Sequence, residues 1–183
     1  MSLLREYIRE LLKEGMHPNI SNMIKRAKKE GMRLELQADR VMLKDGDGFM
    51  IGHINWKTRP DAGECLGAQI VGYSSAPGGY GPLLYDIAIE ATGGLTPDRG
   101  SVSSDARSVW SFYDEDRSDV IKTQLDNPYN ALTPGEEDNC AQFSAISDIA
   151  VTSWQESPLS RMYSKSGTPV IDRLREWEMI DEK

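Results

Sequence analysis

Hydrophobic residues recur at helical spacing near the amino terminus. They form a single apolar stripe made of Leu4, Tyr7, Ile8, Leu11 and Leu12. Residues 2–14 are therefore predicted to form an amphipathic helix that ends at Gly15 and docks either on its own core or on another subunit. A second helix is predicted over residues 21–30, with Met23, Ile24 and Ala27 inward and its lysines and arginine facing water.

Alternation of apolar and polar residues then predicts strands. Residues 33–37 alternate around Leu34 and Leu36, residues 41–43 are apolar, and a longer apolar run covers residues 49–56. The Asp-Gly-Asp-Gly cluster at 45–48 separates the last two stretches and predicts a β-hairpin.

The acidic turn at 45–48 is also a candidate for metal binding. Asp45 and Asp47 are similar to the start of a calcium-binding loop, but the downstream glutamate of such a loop is missing. Asp-Gly is ordinary turn chemistry, so we predict a turn without metal and no metal site.

The stretch from Gly67 to Thr92 has the most informative pattern. Residues 68–73 are short and apolar, as in a strand, and residues 74–81 are rich in serine, proline and glycine. Pro82 then suits the first turn of a helix, whose apolar positions are Leu83, Leu84, Ile87, Ala88 and Ala91. A strand, a glycine loop and a helix in this order direct free backbone N–H groups at one point, which favours binding of an anion such as phosphate.

Four further elements and one long loop are predicted after the central helix. Gly93 and Gly94 end the central helix, a short strand is predicted over 95–98, and a helix over 104–114. Residues 121–140 contain several proline and glycine signals and are predicted to be a loop. A short helix within 141–154 and a last helix from Pro169 to Glu178 complete the predicted elements.

Two motifs resemble those of the GNAT superfamily of N-acetyltransferases. In the first, the matching positions are Val71 on the strand, Gly79 and Gly81 in the loop, and Leu84 in the helix. In the second, they are Ser103, Ala106, Val109 and Trp110, with tryptophan where the family usually has tyrosine. Ala76 and Pro77 depart from the family, which has an arginine or glutamine followed by a glycine there. The resemblance covers residues 41–113.

The resemblance implies a fold of the α+β class, an α/β sandwich. Its central sheet is expected to be mixed, mostly antiparallel and flanked by helices, within a GNAT-like domain over residues 1–120. Residues 121–183 are expected to form a loop-rich acidic extension with short, irregular helices. The β-hairpin that usually ends the family fold is not evident in the sequence.

The resemblance also implies an activity, the transfer of an acyl group from acetyl-CoA to an amine. The implied cofactor-binding residues are Val71, Gly78, Gly79, Tyr80 and Gly81.

For catalysis, Tyr113 could protonate the departing thiolate in place of the tyrosine that Trp110 replaces, and Glu64 or His53 could take the proton of the amine. Core packing for Tyr113 and a structural role for His53 are the alternatives.

Composition limits the partners and the compartment. The chain has 183 residues with 39% hydrophobic and 27% charged content, values typical of a soluble globular protein, and no apolar run long enough to span a membrane. Two cysteines are too few for a disulfide framework and indicate synthesis in the cytoplasm. The net charge of −8 argues against nucleic acid as a partner. A negative net charge is also unfavourable for binding CoA, which is itself an anion. Few positive side chains lie near the glycine loop in sequence, since Arg59 and Arg99 are the only cations between Thr58 and Gly100.

A second hypothesis is a catalytically inactive relative of the same fold, acting as a structural or interaction protein. The run from Gly79 to Asp86 and the later Arg-Ser-Asp-Val at 117–120 resemble proteins of tailed phages. This resemblance implies a virion component or a factor in the host cytoplasm. The partner would then be another protein or further copies of the chain, whereas the enzyme hypothesis requires an amine acceptor, either a small molecule or a protein.

Overall fold

The computed structural model describes residues 15–183, so the helix predicted over residues 2–14 lies outside the described residues. The helices are α1 Pro18–Lys29, α2 Gly81–Thr92, α3 Ser104–Glu115, α4 Phe143–Ile146 and α5 Pro169–Glu176. The strands are β1 Arg33–Gln37, β2 Arg40–Lys44, β3 Met50–Lys57, β4 Gln69–Ser75, β5 Leu95–Thr96, β6 Ile121–Gln124, β7 Arg161–Ser164 and β8 Ile180–Glu182.

The eight strands of the described chain form one sheet in the order β6-β7-β5-β4-β3-β2-β1-β8. Five of the neighbouring pairs are antiparallel, and β4 with β5 and β1 with β8 are parallel. Helices pack against this sheet, so the predicted α+β sandwich is confirmed. The predicted hairpin is also present, because β2 and β3 pair antiparallel and the Asp45 carboxylate accepts hydrogen bonds from the Asp47 and Phe49 amides.

Helix α2 is the centre of the larger hydrophobic core. Every residue from Leu83 to Glu90 is buried, as expected for a helix enclosed on all sides. Adjacent strand residues point to opposite faces of a sheet. Val71 accordingly joins the core around α2, whereas Ile70 belongs to a smaller cluster. Both faces of β4 are therefore covered near its start.

The carboxy-terminal third contributes strands that the sequence did not predict. Strands β6 and β7 pair antiparallel next to β5, although 36 residues separate them, and β8 pairs with β1. The sheet therefore continues across the boundary expected at residue 120. The strands were missed because they are only three or four residues long and pair over long sequence distances.

A disulfide joins Cys65 to Cys140, a pairing that the sequence did not predict. Both cysteines are buried in the smaller cluster, beside Ile70 and Leu125. The bond attaches the connection before β4 to the segment that follows β6. None of the helices within residues 15–183 has the length and apolar content required to cross a bilayer.

A buried carboxylate, Glu35, connects the carboxy terminus to the sheet and gives the fold a pH dependence. Hydrogen bonds from Lys183, Lys44 and Gln37 lower the pKa of Glu35 from 4.5 to about 2. Since the pKa is depressed in the folded state, the stabilisation is complete above about pH 4.5 and is lost as the pH falls towards 2. We expect Glu35→Gln to lower the melting temperature at pH 6, with a difference from wild type that shrinks between pH 4.5 and 2. A difference that stays constant over this range would contradict the assignment.

Candidate functional site

Strands β4 and β5 pair over only two residues before they diverge. The paired residues are Gln69 with Leu95 and Ile70 with Thr96. Pro97 follows Thr96 and cannot donate a hydrogen bond to a sheet ladder, which accounts for the end of the pairing. The Asp98 carboxylate then accepts hydrogen bonds from the Gly100 and Ser101 amides at 2.7 and 3.1 Å and turns the chain away from β4.

A bulge in β4 lies at the point of divergence. Asn55 of β3 is opposite Tyr73 and Trp56 is opposite Val71, so Gly72 is the additional residue. The Asn55 Oδ1 atom accepts a hydrogen bond from the Tyr73 amide at 2.7 Å and would lie 2.8 Å from a Cβ atom at Gly72. A Cβ atom at Gly72 would therefore displace the Asn55 side chain from the Tyr73 amide.

The divergence opens a slot that contains two cavities. The first, which we call the loop chamber, has a volume of about 410 Å³ and lies between the glycine loop and α3. The second, the strand chamber, has a volume of about 230 Å³ and lies between residues 71–74 and residues 98–110. They share four lining residues, Ser74, Tyr85, Ser103 and Ala106, and are therefore adjacent; we refer to the two chambers together as the passage.

Unpaired amides line one end of the passage. Gly78 and Gly79 have φ angles of +48° and +83°, values that favour glycine. Within residues 15–183, the N–H groups of Gly78, Gly79 and Gly81 donate to no acceptor, whereas the Tyr80 amide donates to the Pro77 carbonyl. Gly79 and Gly81 line the loop chamber, and α2 begins at Gly81. The end of the loop chamber thus combines free donors with the positive end of a helix, which suits an anion.

A cation that the sequence did not indicate supports this loop. Arg26 of α1 donates hydrogen bonds to the Gly78 carbonyl at 2.7 Å and to the Tyr80 hydroxyl at 2.9 Å. Its guanidinium lies 4.0 Å from the centroid of the Tyr80 ring, and the Tyr80 hydroxyl donates to Glu30. Tyr80 is therefore buried against α1 and does not obstruct the chamber.

The two cations considered from the sequence are engaged elsewhere. Arg99 is fully buried and donates hydrogen bonds to the Pro97, Ala141 and Leu159 carbonyls. Burial lowers the pKa of Arg99 to about 9, so it is still charged at neutral pH. Arg59 pairs with Asp61 at 2.7 Å. Within residues 15–183, Arg26 is a cation at the glycine loop, and it also pairs with Glu30 at 3.8 Å.

The slot contains some of the predicted site residues. Val71 lines the strand chamber, Gly79 and Gly81 line the loop chamber, and Gly78 belongs to the same loop but lines neither chamber. Tyr80 belongs to the loop but faces α1.

The three predicted catalytic residues do not line either chamber. Glu64 is exposed in the connection between β3 and β4. His53 lies on β3, where its ring stacks on Tyr73 with 5.1 Å between centroids. Tyr113 is fully buried, and its hydroxyl lies within hydrogen-bond distance of the Pro82 carbonyl at 2.8 Å and of the Asp86 carboxylate at 2.9 Å. Burial raises the pKa of Tyr113 well above its usual value, so the hydroxyl stays protonated.

The slot also contains ionisable and hydroxyl side chains that were not predicted. The Tyr85 hydroxyl lies 2.8 Å from the Ser74 hydroxyl, and burial raises the pKa of Tyr85. Asp98 lines the strand chamber, and within residues 15–183 its Oδ2 atom accepts no hydrogen bond. One feature of the sequence could have indicated that Asp98 lies in the site. It follows a short strand, and ligands bind beyond the carboxyl ends of strands where neighbouring strands part.

Comparisons with protein-family models, curated proteins and solved structures found no match to this chain.

Proposed function

We propose that the protein is a GNAT-like N-acyltransferase that uses an acyl-CoA, with acetyl-CoA as the expected donor. The observation that carries the proposal is the divergence of β4 from β5, which opens a passage from the unpaired amides at Gly79 and Gly81 to Val71. The antiparallel pair β6–β7 is not the β-hairpin that usually ends the family fold, because 36 residues separate its two strands.

The loop residues fit the pyrophosphate of CoA. The amides of Gly78, Gly79 and Gly81 donate to no acceptor within residues 15–183, and an added Cβ atom at Gly79 would meet no atom within 4 Å. The open space beside Gly79 leaves room for a ligand, and the helix terminus favours its negative charge. Arg26 holds the loop carbonyl and adds a positive charge nearby. Together these groups take the place of the arginine or glutamine that the family has where this chain has Ala76, although Arg26 also pairs with Glu30 at 3.8 Å.

When bound, an acyl-CoA supplies an activated carbonyl carbon. The chain's own groups then have three tasks. A backbone N–H near Val71 polarises the acyl carbonyl, and Asp98 takes the proton of the attacking amine. Tyr85 lines both chambers, and its protonated hydroxyl would give its proton to the sulfur as the C–S bond breaks and would regain a proton from solvent. His53 and Glu64 are alternative bases that act through water from outside the slot.

Titration calorimetry with acetyl-CoA tests the proposal. We expect binding by the wild type and a loss of affinity of at least about tenfold in Gly79→Glu, because a carboxylate at this position repels the pyrophosphate.

Gly67→Glu is the matched control. Gly67 also has a positive φ angle, +73°, an added Cβ atom there would meet no atom within 4 Å, and the residue lines neither chamber. Equal affinity in both variants, or no binding by the wild type at millimolar acetyl-CoA, would reject the cofactor site.

A second candidate function is that of an inactive structural protein, such as a tailed-phage virion component. It is favoured by an exposed apolar patch on the carboxy-terminal part, where Phe143 and Ile146 are each 57% exposed and Ile149 is fully exposed. Patches of this kind mark protein interaction sites. This function predicts no CoA binding, together with self-association in analytical ultracentrifugation that Ile149→Asp weakens. Binding of CoA by a protein that stays monomeric would exclude it.

A further inference from the structure

A pair of hydroxyl groups lies where the two chambers adjoin. Ser74 and Tyr85 each line both chambers, and their hydroxyl oxygens are 2.8 Å apart. In the part of the chain that the structure describes, neither hydroxyl has another hydrogen-bond partner. A ligand that extends from one chamber to the other therefore passes beside this pair.

The positions of both hydroxyl oxygens are fixed by strand pairing and by packing. Ser74 lies opposite Ile54 in the ladder between β3 and β4. Tyr85 is 2% exposed, and its ring meets the buried Trp110 ring edge-on with 4.9 Å between centroids. The remaining freedom is the direction of the two O–H bonds, because a hydroxyl has one proton to donate and two lone pairs that accept.

The direction of the Ser74 O–H bond decides what the Tyr85 proton can reach. If Ser74 accepts the proton of Tyr85, that proton is occupied and is not directed at a ligand. If Ser74 donates to the Tyr85 oxygen, the phenol proton is free to point into the passage. The pair also tunes the acid, because burial raises the pKa of Tyr85 and the hydrogen bond with Ser74 opposes this rise.

We infer that Ser74 is a positioning residue that donates to the Tyr85 oxygen and directs the Tyr85 proton at the sulfur of a bound acyl-CoA. This inference rests on the proposed function, in which Tyr85 is the acid. As the C–S bond breaks, its electron pair goes to the sulfur, and the phenol proton is transferred to the same atom. The phenolate oxygen keeps the electrons of its O–H bond, and the Ser74 hydroxyl stabilises this charge until solvent returns a proton.

Other titratable groups surround Tyr85. They are Asp98 in the strand chamber, Asp105 in the loop chamber, Tyr113 on α3 and, on α2 itself, Asp86. Tyr113 stays protonated, and Asp86 is paired with Arg117. Carboxyl groups ordinarily titrate below about pH 5, so a titration of the complex between about pH 6.5 and 9.5 reports on the thiol of CoA.

The thiol of CoA tests the inference without an acceptor amine, because its ionised form accepts the Tyr85 proton as the leaving sulfur would. Its ionisation constant in the complex is measured from the ultraviolet absorbance of the thiolate, with the desulfo-CoA complex as the reference. In Ser74→Ala we expect this constant to fall by about three- to tenfold relative to wild type, the size of one lost hydrogen bond. Ser74→Thr keeps a hydroxyl and should retain the wild-type value.

Three controls separate this role from a general effect on the slot. Desulfo-CoA, which lacks the sulfur, should bind the wild type and Ser74→Ala equally. Ser75→Ala changes the next residue of β4, which lines the loop chamber but not the strand chamber, and should leave the ionisation constant unchanged. In a Tyr85→Phe background, Ser74→Ala should have no further effect on the constant.

An ionisation constant that is unchanged or raised in Ser74→Ala would overturn the inference while leaving the cofactor site intact. A raised constant would mean that Ser74 accepts the Tyr85 proton and withholds it from the sulfur. An equal loss of affinity for CoA and desulfo-CoA in Ser74→Ala would also overturn the inference, because Ser74 would then act on the shape of the slot. Failure of the wild type to bind CoA would instead reject the proposed function.

Discussion

Replacement of Arg117 by methionine is expected to lower the free energy of unfolding by about 3–5 kcal/mol, the cost of removing one partner from a buried ion pair. The Arg117 side chain is completely buried, and its Nη2 atom donates to both carboxylate oxygens of Asp86 at 2.9 and 3.0 Å. Asp86 is also completely buried, so it has no access to water when its partner is removed.

The neighbouring charges make this loss more severe. Asp119 accepts two hydrogen bonds from Arg117, and Lys165 lies 2.6 Å from Glu90, 3.8 Å from Asp86 and 3.9 Å from Asp119. Without Arg117, the single positive charge of Lys165 faces three carboxylates. Although burial opposes it, the contacts with Asp119 and Asp86 raise the pKa of Arg117, so the guanidinium is charged at all pH values compatible with folding.

Urea unfolding at pH 7 measures the effect. Arg40→Met is the control, because Arg40 forms an exposed pair with Asp39 and its loss should cost no more than about 1 kcal/mol. The double variant Asp86→Leu/Arg117→Met should recover part of the stability, since it removes the unpaired carboxylate together with its partner. The assignment is wrong if Arg117→Met and Arg40→Met have the same unfolding midpoint.

The strand, loop and helix between residues 69 and 92 could be predicted because local chemistry determines them. Pro82 and Gly93 suit the two ends of α2, and Gly93 has a left-handed φ of +71°. The apolar run before the loop is short and β-compatible. Ser103 caps α3 through its hydroxyl, as its position before Asp105 indicates. Each of these signals lies within a few residues of the element that it specifies.

The remaining part of the fold depends on long-range pairing. Strand β6 has only one strongly apolar residue, Ile121. It pairs with β7, which begins after a further 36 residues of the chain. Arg26 supports the glycine loop from 52 residues away. Periodicity within one segment carries no information about such partners, which explains why the carboxy-terminal strands and Arg26 were missed.

The sequence predicted the backbone groups of the candidate site, but it did not predict most of the side chains that line it. Glycines and strand order specify where amides are free, and these are local properties. Tyr113 has suitable chemistry and helical spacing, but its hydroxyl is engaged by Asp86 in the core. Tyr85 occupies the slot because α2 is rotated so that this side chain meets Ser74. Tyr85 of α2 lines the slot and Tyr113 of α3 does not, because of how the two helices pack. The sequence alone does not reveal this packing.

Reduction of the disulfide between Cys65 and Cys140 is expected to lower the free energy of unfolding by about 4.5 kcal/mol. The bond spans 75 residues, and the entropy of closing a loop of this length in the unfolded chain gives this magnitude. The folded state should keep its structure after reduction. The Cys65 amide still donates to the Asn139 carbonyl at 3.0 Å, and the Leu66 amide to the Glu137 carbonyl at 2.7 Å.

Urea unfolding with and without dithiothreitol measures this effect, and Cys140→Ala provides the genetic counterpart. We expect the reductant to lower the unfolding midpoint of the wild type and to leave that of Cys140→Ala unchanged. Titration of thiols in the denatured, non-reduced wild type should find none. Two free thiols in protein purified without reductant would show that the cysteines are adjacent but not bonded. The smaller cluster around Ile70 would then be held by packing and by the backbone hydrogen bonds between the two segments alone.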